Sequence, residues 1–324
     1  MELLATFSQL ILDLYQAVER VEPERFRAWA FDRLRQSIVF DAAVWIQGVV
    51  LDGLPVTTRV YLHHLPNDML QDYARWASDD DLFAAVRRTP LRCVRAADLI
   101  DWPARRETAM YREYLSTYGI EDAIGILIPF GVSGIQSFLT LYRNNRDQPF
   151  TTIESDWFEG ASPHLVEAEN IGSLRHVRRR HRVADMNGAI AVVSTDGHLK
   201  MAEMAFVHHL TAGWPDWKPP WVPPPILGVA ERTRPGGLVI NQYYAHSVSA
   251  AGDYVFLLRP ATPLDLLTPR EREIATRIAD GMPYKKVATE LGISPSTVTN
   301  HVNAIHEKLA VTSSAALRRA IGIV

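Results

Sequence analysis

The sequence contains a single cysteine, Cys93, in 324 residues. One thiol cannot form an internal disulfide, and it cannot supply the several sulfur ligands of a cysteine-built zinc site. The sequence also lacks an apolar run of about 18 residues, the length that spans a bilayer. It has no basic and then apolar N-terminal segment of the secretory type. These absences predict a cytoplasmic protein that does not enter a membrane.

Neither sign of charge is in large excess, because 34 Lys and Arg residues stand against 37 Asp and Glu residues. The distribution along the chain is uneven. From residue 268 onward there are eight basic and five acidic residues, a net charge of +3, so the residues before them carry −6. Of the 30 aromatic residues, only Tyr284 lies in that last stretch. At roughly 100 to 200 residues per domain, the chain has room for two or three domains, and the last one differs in kind from the rest.

Residues 1–183 are predicted to form an α+β domain. Apolar residues between Phe7 and Val18 recur at steps of three and four, the spacing of a helix that packs on one side. Two strand-like runs, Val39–Val50 and Val56–Leu65, flank the turn residues Asp52-Gly53. Two more strands and one long helix follow. Helices before and after paired strands predict an antiparallel sheet with helices packed on it.

Residues 184–260 are predicted to form a second, smaller α+β unit. A short strand and a helix precede Trp214–Pro225, which holds six prolines and three tryptophans. Proline lacks the amide donor that a helix or a central strand needs, so this segment is predicted to be a surface loop. Strands at Leu238–His246 and Asp253–Leu258 close the unit, and Arg259–Pro263 is the predicted linker to the last domain.

Residues 261–324 carry the start and stop signals of short helices. Thr268-Pro269 can begin a helix, since threonine caps free backbone amides and proline suits the first helical position, and Glu271 completes a capping box. Gly292 can end the second helix in the left-handed conformation, and Ser294-Pro295 begins a third. The apolar residues predicted to form the inner face of this third helix are Val298, Val302, Ile305 and Leu309. Two short helices joined at a glycine turn predict a helix-turn-helix within an all-α domain of four helices.

The polar face of the third helix is the predicted DNA-contacting surface. Its small side chains can donate and accept hydrogen bonds at phosphates or at base edges in a major groove, and three lysines lie where the flanking backbone would run. The predicted DNA-binding residues are Lys285, Lys286, Ser296, Thr297, Thr299, Asn300, His301, Asn303 and Lys308. A helical bundle with a merely solvated polar face has the same spacing, so the pattern alone leaves both interpretations open.

The segment Leu267–Val311, LTPREREIATRIADGMPYKKVATELGISPSTVTNHVNAIHEKLAV, resembles the DNA-binding domain of the LuxR family of transcriptional regulators. The matching pieces are the LTPREREI start, the ATELGIS turn, the STVTNHV helix and the KLAV close. The resemblance implies a four-helix domain that binds palindromic double-stranded DNA as a homodimer, with its third helix in the major groove. RNA polymerase is a further partner that the resemblance implies.

The segment departs from the family pattern at several positions. Ser296 and Thr299 stand where the family often carries arginine and lysine, Pro283-Tyr284 replaces a commonly polar pair, and Ala310 replaces a common glycine. Fewer cations predict weaker nonspecific DNA binding and a shallower salt dependence, since each neutralised phosphate adds roughly one unit of slope. The preferred DNA sequence therefore cannot be carried over from the family.

The first 260 residues carry less specific resemblances. Three stretches, FDAAVWIQGVV, DYARWASDDDLF and SFLTLYRNNRDQPFTTIESDWF, are similar to GAF-like sensory domains. The 184–260 unit is expected to be PAS-like, and whether it is a second sensor or a dimerisation brace stays open. The resemblance implies a cavity for a small-molecule effector, enclosed between a sheet and helices.

The acyl-homoserine-lactone receptors of the LuxR family place tyrosine, tryptophan and an acidic residue around their pocket. The nearest candidates for ligand binding are Tyr61, Tyr73, Trp76 and Asp80, together with Trp45, whose strand is predicted to line the concave face of the sheet. Asp80 is followed by Asp81-Leu82 rather than by the usual proline, which argues against a lactone. Core packing is the plainer interpretation of each aromatic residue taken singly.

Enzyme and metal chemistry find little support in the sequence. His63-His64 and His208-His209 are adjacent pairs, whose side chains would point to opposite faces of a strand or diverge on a helix, so no metal site is predicted. Gly131–Gly134 lacks the spacing of a nucleophile elbow, and no phosphate-binding glycine loop occurs. We therefore predict neither an enzyme nor a cofactor.

Taken together, the sequence predicts a DNA-binding transcriptional regulator whose N-terminal region senses a small molecule or a partner. The alternative is a signalling partner protein whose helix-turn-helix binds another protein.

Overall fold

The computed structural model describes residues 2–51, 54–181, 187–230, 237–250 and 252–322. These residues form two five-stranded antiparallel sheets with packed helices, followed by a helical bundle. The predicted fold class, α+β followed by all-α, is confirmed. The predicted turn at Asp52-Gly53 and the predicted boundary between residues 183 and 184 lie outside the described residues. None of the described helices combines the length and the apolar character that crossing a membrane requires.

The first sheet has the strand order β2-β1-β5-β4-β3, and every neighbouring pair is antiparallel. Its strands are β1 (Ala42–Leu51), β2 (Leu54–His63), β3 (Val94–Arg95), β4 (Asp122–Pro129) and β5 (Ile135–Arg143). Strand β1 lies between β2 and β5, so that Trp45 is opposite Tyr61 on one side and opposite Leu139 on the other.

Within the described residues, six α-helices accompany this sheet. They are α1 (Glu2–Arg20), α2 (Pro23–Leu34), α3 (Asp68–Tyr73), α4 (Asp81–Arg88), α5 (Trp102–Glu107) and α6 (Thr152–Arg180). The three long helices α1, α2 and α6 cover one face, where Leu10 and Leu14 of α1 are fully buried. Helix α6 begins at a capping box between Thr151 and Glu154, and Pro163 lies inside it. The short helix α4 packs on the opposite face, so the sheet is covered on both sides.

Alternate residues of β5 face opposite sides of the sheet. Leu139 and Leu141 pack into the core beneath the long helices. Phe138, Thr140 and Tyr142 face the short helices. Apolar side chains therefore occupy both faces of this strand.

The second sheet repeats the strand order of the first. Its strands are β6 (Ala189–Ser194), β7 (Leu199–Ala202), β8 (Leu238–Ile240), β9 (Tyr243–Ala250) and β10 (Asp253–Pro260), accompanied by α7 (Met204–Gly213) and α8 (Pro224–Ala230). The order β7-β6-β10-β9-β8 places the strands of this unit as β2-β1-β5-β4-β3 places those of the first. The prediction of one strand over Leu238–His246 is wrong. Asn241 takes a left-handed conformation with φ of 53°, which asparagine tolerates, and the resulting turn separates β8 from β9.

Helix α6 extends from the first unit to the second. Near its C-terminal end, Arg178 donates hydrogen bonds to both carboxylate oxygens of Glu203, at 2.9 and 2.8 Å. One turn beyond the helix midpoint, Asn170 donates to the backbone carbonyl of Ala202 in β7 at 3.1 Å. These contacts fix the end of the helix against the second unit.

A buried ion cluster connects α2, α6 and β2. The carboxylate of Glu169 is 2% exposed, accepts a hydrogen bond from Arg59 at 2.8 Å and lies 3.4 Å from Arg27. Burial lowers the pKa of Arg27 to about 10, and the nearby charge of Arg59 acts in the same direction, while Glu169 opposes both. Glu169 is therefore the group that keeps a buried guanidinium charged.

The C-terminal bundle has its own apolar core. Its helices are α9 (Pro269–Ala279), α10 (Tyr284–Leu291), α11 (Pro295–Leu309) and α12 (Ser314–Ala320). The core residues include Ile274, Ile278, Val287, Val298, Val302, Ile305 and Leu317. The predicted capping box joins Thr268 and Glu271, and Gly292 ends α10 with φ of 63° and ψ of 35°.

The linker between the second unit and the bundle is held by an ion pair. Arg259 of β10 donates to both carboxylate oxygens of Asp265, at 2.6 and 2.8 Å, and Arg272 of α9 lies 3.7 Å from the same carboxylate. Burial acts to raise the pKa of Asp265, but the hydrogen bonds from Arg259 and Thr262 outweigh it and lower that pKa to about 2. The pair is therefore ionised at neutral pH.

Candidate functional site

Helix α11 presents a polar face to solvent because its apolar side chains point into the bundle. Val298, Val302 and Ile305 are at most 2% exposed. The predicted contact residues on this helix lie on the other side, exposed at Ser296, Thr299, Asn300 and Asn303 and half-buried at Thr297 and His301. The structure therefore brings these six residues together on one helix.

The hydroxyl groups at the start of α11 bind to one another and to the helix. Ser294 Oγ accepts a hydrogen bond from the backbone N–H of Thr297 at 3.1 Å and lies 2.8 Å from the hydroxyls of Ser296 and Thr297. Thr299 donates to the Pro295 carbonyl at 3.1 Å. The side-chain amides of Asn300 and Asn303 make no hydrogen bond within the described residues, so both are available to an incoming partner.

The three predicted lysines are placed differently. Lys285 and Lys286 are exposed on the first turn of α10. Lys308 instead donates to both carboxylate oxygens of Glu271, at 2.8 and 2.7 Å, and Glu271 is 6% exposed. The ammonium group of Lys308 thus ties the end of α11 to the start of α9, an interaction between helices that the sequence does not reveal.

Most cations of the bundle already have protein partners. Arg270, Arg272, Arg277, Lys308 and Arg318 each make a hydrogen bond or an ion pair. Within residues 268–322, the basic side chains that have neither are Lys285, Lys286 and Arg319. Few charges therefore remain for phosphate contacts.

A cavity of about 270 Å³ lies between the first sheet and the short helices. One water molecule takes up about 30 Å³ in the liquid, so this volume equals that of about nine water molecules. Ala123, Phe138, Thr140 and Tyr142 line it from the sheet. From the helical side it is lined by Tyr73, Asp79, Asp80, Asp81, Leu82, Ala96, Leu99, Ile100, Arg105, Thr108, Ala109, Met110, Tyr114 and Leu115. Two of the predicted ligand residues, Tyr73 and Asp80, are therefore neighbours in one wall.

Asp80 is the central polar residue of this wall. One carboxylate oxygen accepts the backbone N–H of Phe83 at 2.9 Å, which caps α4, and the other accepts the Tyr73 hydroxyl at 2.8 Å. Burial raises the pKa of Asp80 above its ordinary value, although these hydrogen bonds and the charge of Arg105 act to lower it. The Arg105 side chain is 10% exposed, and burial lowers its pKa as well. A buried acid and a buried base thus face the same space.

A second, apolar cavity of about 190 Å³ adjoins the first. Tyr73 and Phe138 line both cavities. The other residues that line the second cavity are Ile46, Gly48, Val49, Val56, Thr57, Ala77, Phe83, Leu127 and Gln136. The first cavity is polar at Asp80 and Arg105, and the second is mainly apolar along β1 and β2.

Trp45 and Tyr61, two of the predicted ligand residues, line neither of these two cavities. Trp45 is fully buried on the other face of the sheet, with the Arg27 guanidinium 4.9 Å from its ring centroid. Tyr61 stacks on Phe31 of α2 at 6.1 Å. Both faces of β1 are covered, so the alternation of its apolar residues does not tell which face borders the cavity. Trp76 packs in an apolar cluster beside the cavity and does not line it.

Sequence analysis missed Thr140, Tyr142 and Arg105 as cavity residues. The first two share a strand face with Phe138, so the period of two along the predicted strand could have found them. Burial raises the pKa of Tyr142, which keeps its hydroxyl protonated as a hydrogen-bond donor. Arg105 lies on α5, and no pattern in the sequence places that helix over the sheet.

Comparison with known proteins gives a match at the C-terminus. The model of the luxR family of bacterial regulatory proteins matches residues 265–320. The chain is 38% identical over 78 residues to the transcriptional regulatory protein UhpA of Escherichia coli K12, which covers 23% of this chain and 40% of UhpA. It is 45% identical over 58 residues to the probable transcriptional regulatory protein NarL of Mycobacterium tuberculosis H37Rv, which covers 18% of this chain and 27% of NarL. The chain thus matches less than half of the length of these curated relatives.

Among solved structures, the chain is similar to Escherichia coli SdiA. The two are 14% identical, the similarity covers 98% of each chain, and the TM-score is 0.42.

Proposed function

We propose that this chain, whose residues 265–320 form a LuxR-family helix-turn-helix domain, is a transcriptional regulator that binds DNA through α11 and responds to a small molecule in the cavity of the first unit. The observation that carries the DNA-binding part is the polar face of α11, with two asparagine amides that have no partner within the described residues. In a major groove, asparagine can form two hydrogen bonds to one adenine: its amide N–H donates one and its amide oxygen accepts the other. This chemistry suits a helix that reads bases with few cations.

The charges of the bundle support weak electrostatic binding. Lys285, Lys286 and Arg319 are the cations free for phosphate contacts within residues 268–322. Since each neutralised phosphate contributes about 0.9 to the slope of log K against log salt, three contacts per protomer correspond to a modest slope. Selectivity then depends mainly on base contacts.

We further propose that the protein binds as a homodimer to a palindromic site. One copy of α11 contacts one half-site, and a symmetric pair contacts two half-sites about one helical turn apart. An effector that favours one arrangement of the two sensory regions shifts the population toward the spacing that matches DNA.

The cavity supports an amphiphilic effector. It presents the Asp80 carboxylate, the Arg105 guanidinium and the Tyr142 hydroxyl, and the adjoining cavity, which shares Tyr73 and Phe138 with it, is lined by Val49, Val56 and other apolar residues. A ligand with a hydrogen-bonding head and a short apolar tail suits the two cavities.

The DNA-binding part is tested by selecting bound sequences from a randomised double-stranded pool with the full chain, followed by anisotropy titration of the selected site. Thr299→Ala should weaken binding to that site by about tenfold, the effect of about 1.4 kcal/mol. Thr276→Ala is the matched control, because its hydroxyl makes the same bond to a carbonyl four residues earlier, at 3.0 Å, on the exposed side of α9. Equal effects of the two variants, or no selected sequence at low salt, would favour the protein-binding alternative.

The sensing part is tested separately by thermal shift with a panel of amphiphiles of graded tail length. Compounds that raise the unfolding temperature of the parent should lose this effect in Tyr142→Phe, which removes one hydroxyl from the first cavity. If no compound in the panel changes either unfolding temperature or DNA affinity, the sensing part is abandoned and the DNA-binding part stands.

A further inference from the structure

The end of β2 contains an arrangement of two histidines that sequence analysis excluded. His63 and His64 were predicted to point to opposite faces of a strand, and this is wrong. His64 takes a left-handed backbone conformation with φ of 56°, which ends the alternation of the strand. The two imidazole rings therefore stack, with centroids 4.0 Å apart and an interplanar angle of 26°. A non-glycine residue in this conformation is strained, and such strain is concentrated at functional sites.

A carboxylate completes the group. Asp32 of α2 places Oδ1 3.6 Å from Nε2 of His63, too far for a hydrogen bond but close enough to share an ion. One potential ligand atom from each of Asp32, His63 and His64 lies within 4.8 Å of the other two. Tetrahedral ligands at about 2.0 Å from a metal ion are about 3.3 Å apart. Closing the site therefore requires the exposed Asp32 side chain to rotate and the exposed His64 ring to tilt out of its stack on His63, since the lone pair of an imidazole nitrogen lies in the ring plane.

Each of the two histidines keeps one ring nitrogen that can bind an ion. His63 is 3% exposed, and its Nε2 is buried without a hydrogen-bond partner. Its other nitrogen, Nδ1, lies 3.4 Å from the Tyr61 hydroxyl, which can accept a hydrogen bond from it. His64 Nδ1 lies 3.1 Å from the backbone carbonyl of Asp41. A carbonyl only accepts, so Nδ1 of His64 carries the proton and its Nε2 keeps a lone pair.

This is the arrangement of metal-binding histidines, which donate their second ring N–H to a carbonyl or another oxygen and so fix the orientation of the first nitrogen.

The surroundings fit an ion site that is open on one side. The rings of Phe31 and Phe40 lie 5.4 and 6.1 Å from that of His63 and form an apolar wall. The Asp32 side chain is 64% exposed, and His64 is exposed as well, which provides an entry path from solvent. Three protein ligands leave a position for water, as in zinc sites that exchange their fourth ligand.

We propose that Asp32, His63 and His64 bind a divalent transition-metal ion, with Zn²⁺ as the best-fitting occupant, through one carboxylate oxygen and two imidazole nitrogens. Two imidazoles and a carboxylate suit zinc better than magnesium or calcium, which prefer sites made of oxygen ligands alone. The ion would join α2 to the end of β2, directly before the segment that carries Tyr73 into the cavity wall. This site is independent of DNA binding and of the proposed effector.

The test uses the full chain, stripped with a chelator and titrated with Zn²⁺ in competition with a chromophoric chelator. Co²⁺ serves as a spectroscopic probe of coordination by nitrogen. The variants are Asp32→Asn and His64→Asn, both at exposed positions, and asparagine tolerates the left-handed backbone at residue 64. His208→Asn is the matched control, because it removes one exposed ring of the other adjacent histidine pair. Circular dichroism verifies that each variant is folded.

The proposal expects one Zn²⁺ per parent chain, a visible Co²⁺ absorption band, and a rise in unfolding temperature on Zn²⁺ addition. Asp32→Asn and His64→Asn should each weaken Zn²⁺ binding by at least about tenfold, and the double variant should lose the Co²⁺ band, while His208→Asn should leave both unchanged. Parent-like Zn²⁺ affinity in the double variant, or absence of stoichiometric binding by the parent, would overturn the proposal.

Discussion

The helical bundle and the first sheet hide their apolar residues in different ways. In the bundle, α11 buries Val298, Val302 and Ile305 on one side and leaves the other side polar. In the sheet, β1 and β5 are covered on both faces, by the long helices on one side and by the short helices and the cavity on the other. For a helix or strand that packs on one face only, the sequence indicates which residues face outward. For a strand that is covered on both faces, the sequence does not indicate this, so the face that borders a cavity becomes known only from the positions of the neighbouring elements.

The two regions also treat charge differently. The first region buries Glu169 with two guanidinium groups, and it places Asp80 and Arg105 in the wall of a cavity. The bundle buries one paired carboxylate, Glu271 with Lys308, but on α11 and α10 it keeps Asn300, Asn303 and its free lysines at the surface. The difference predicts that substitutions of polar residues in the first region act mainly on folding, whereas those on α11 act mainly on binding.

The largest expected effect is that of Glu169→Leu. This change leaves the Arg27 guanidinium buried without its counter-charge, and breaking a buried pair in this way costs about 3–5 kcal/mol. The measurement is the free energy of unfolding from urea titration. Glu107→Ala is the control, because Glu107 is 81% exposed and pairs with Arg112 at 3.5 Å, an interaction worth less than about 1 kcal/mol. Similar losses in both variants would mean that the buried cluster has no special role.

The next effect is that of Asn300→Ala, which should lower the affinity for DNA and leave the free energy of unfolding unchanged. Loss of a base contact made by two hydrogen bonds, one to the amide oxygen and one from the amide N–H, costs about 1–3 kcal/mol in affinity for the selected site. Specificity should relax at one base-pair position and persist at the others. The measurements are anisotropy with single-base variants of the site and urea unfolding of the free protein. A uniform loss over all DNA sequences would instead assign Asn300 to a phosphate.

A smaller effect separates two substitutions of Asp80. Asp80→Ala removes the cap of α4, worth about 1 kcal/mol, and the acceptor of the Tyr73 hydroxyl, worth about as much again. Asp80→Asn keeps the cap through its amide oxygen, can donate its amide N–H to the Tyr73 hydroxyl in place of the bond it accepted, and removes the charge. Asn should therefore be more stable than Ala at every pH, as measured by urea unfolding.

The difference in stability between the parent and Asp80→Asn should depend on pH. The folded-state pKa of Asp80 is raised above its ordinary value of 3.8, so the folded state binds more protons than the unfolded state in the window above that value. Stability of the parent relative to Asp80→Asn should fall as pH rises through this window and should level off above the raised pKa. A difference that stays constant from pH 3 to pH 8 would contradict the buried-charge interpretation.

The smallest effect is a gain in stability in the bundle. Ala310 ends α11 with φ of 52° and ψ of 44°, the left-handed conformation that favours glycine. Ala310→Gly should stabilise the protein by about 1 kcal/mol, seen as a higher unfolding midpoint. Ala304→Gly, within the same helix, should have the opposite sign and similar size. If both variants destabilise, the turn after α11 carries no strain.

The sequence allowed prediction of the bundle almost residue by residue, because Thr268, Gly292 and Ser294 mark helix ends and the inner residues of α11 follow a single period. The order of elements in the first region was also predictable. Three features were not. The side of β1 that Trp45 takes depends on helices distant in sequence. The turn at Asn241 lies between two short apolar runs that were predicted to be one strand, and the left-handed turn at His64 reverses the direction expected of a strand residue.

The position of Pro163 in α6 has a mechanical consequence. Proline removes one backbone hydrogen bond and disfavours a straight helix, so bending energy is lowest at this point. From Pro163 to Arg178 the helix runs about 22 Å at 1.5 Å per residue, and a bend of about five degrees displaces Arg178 by about 2 Å. Arg178 is hydrogen-bonded to Glu203, and the ion pair of Arg259 and Asp265 connects the second unit to the bundle. A bend of this size would change the separation of Arg178 and Glu203 by as much as the difference between a formed and a broken hydrogen bond.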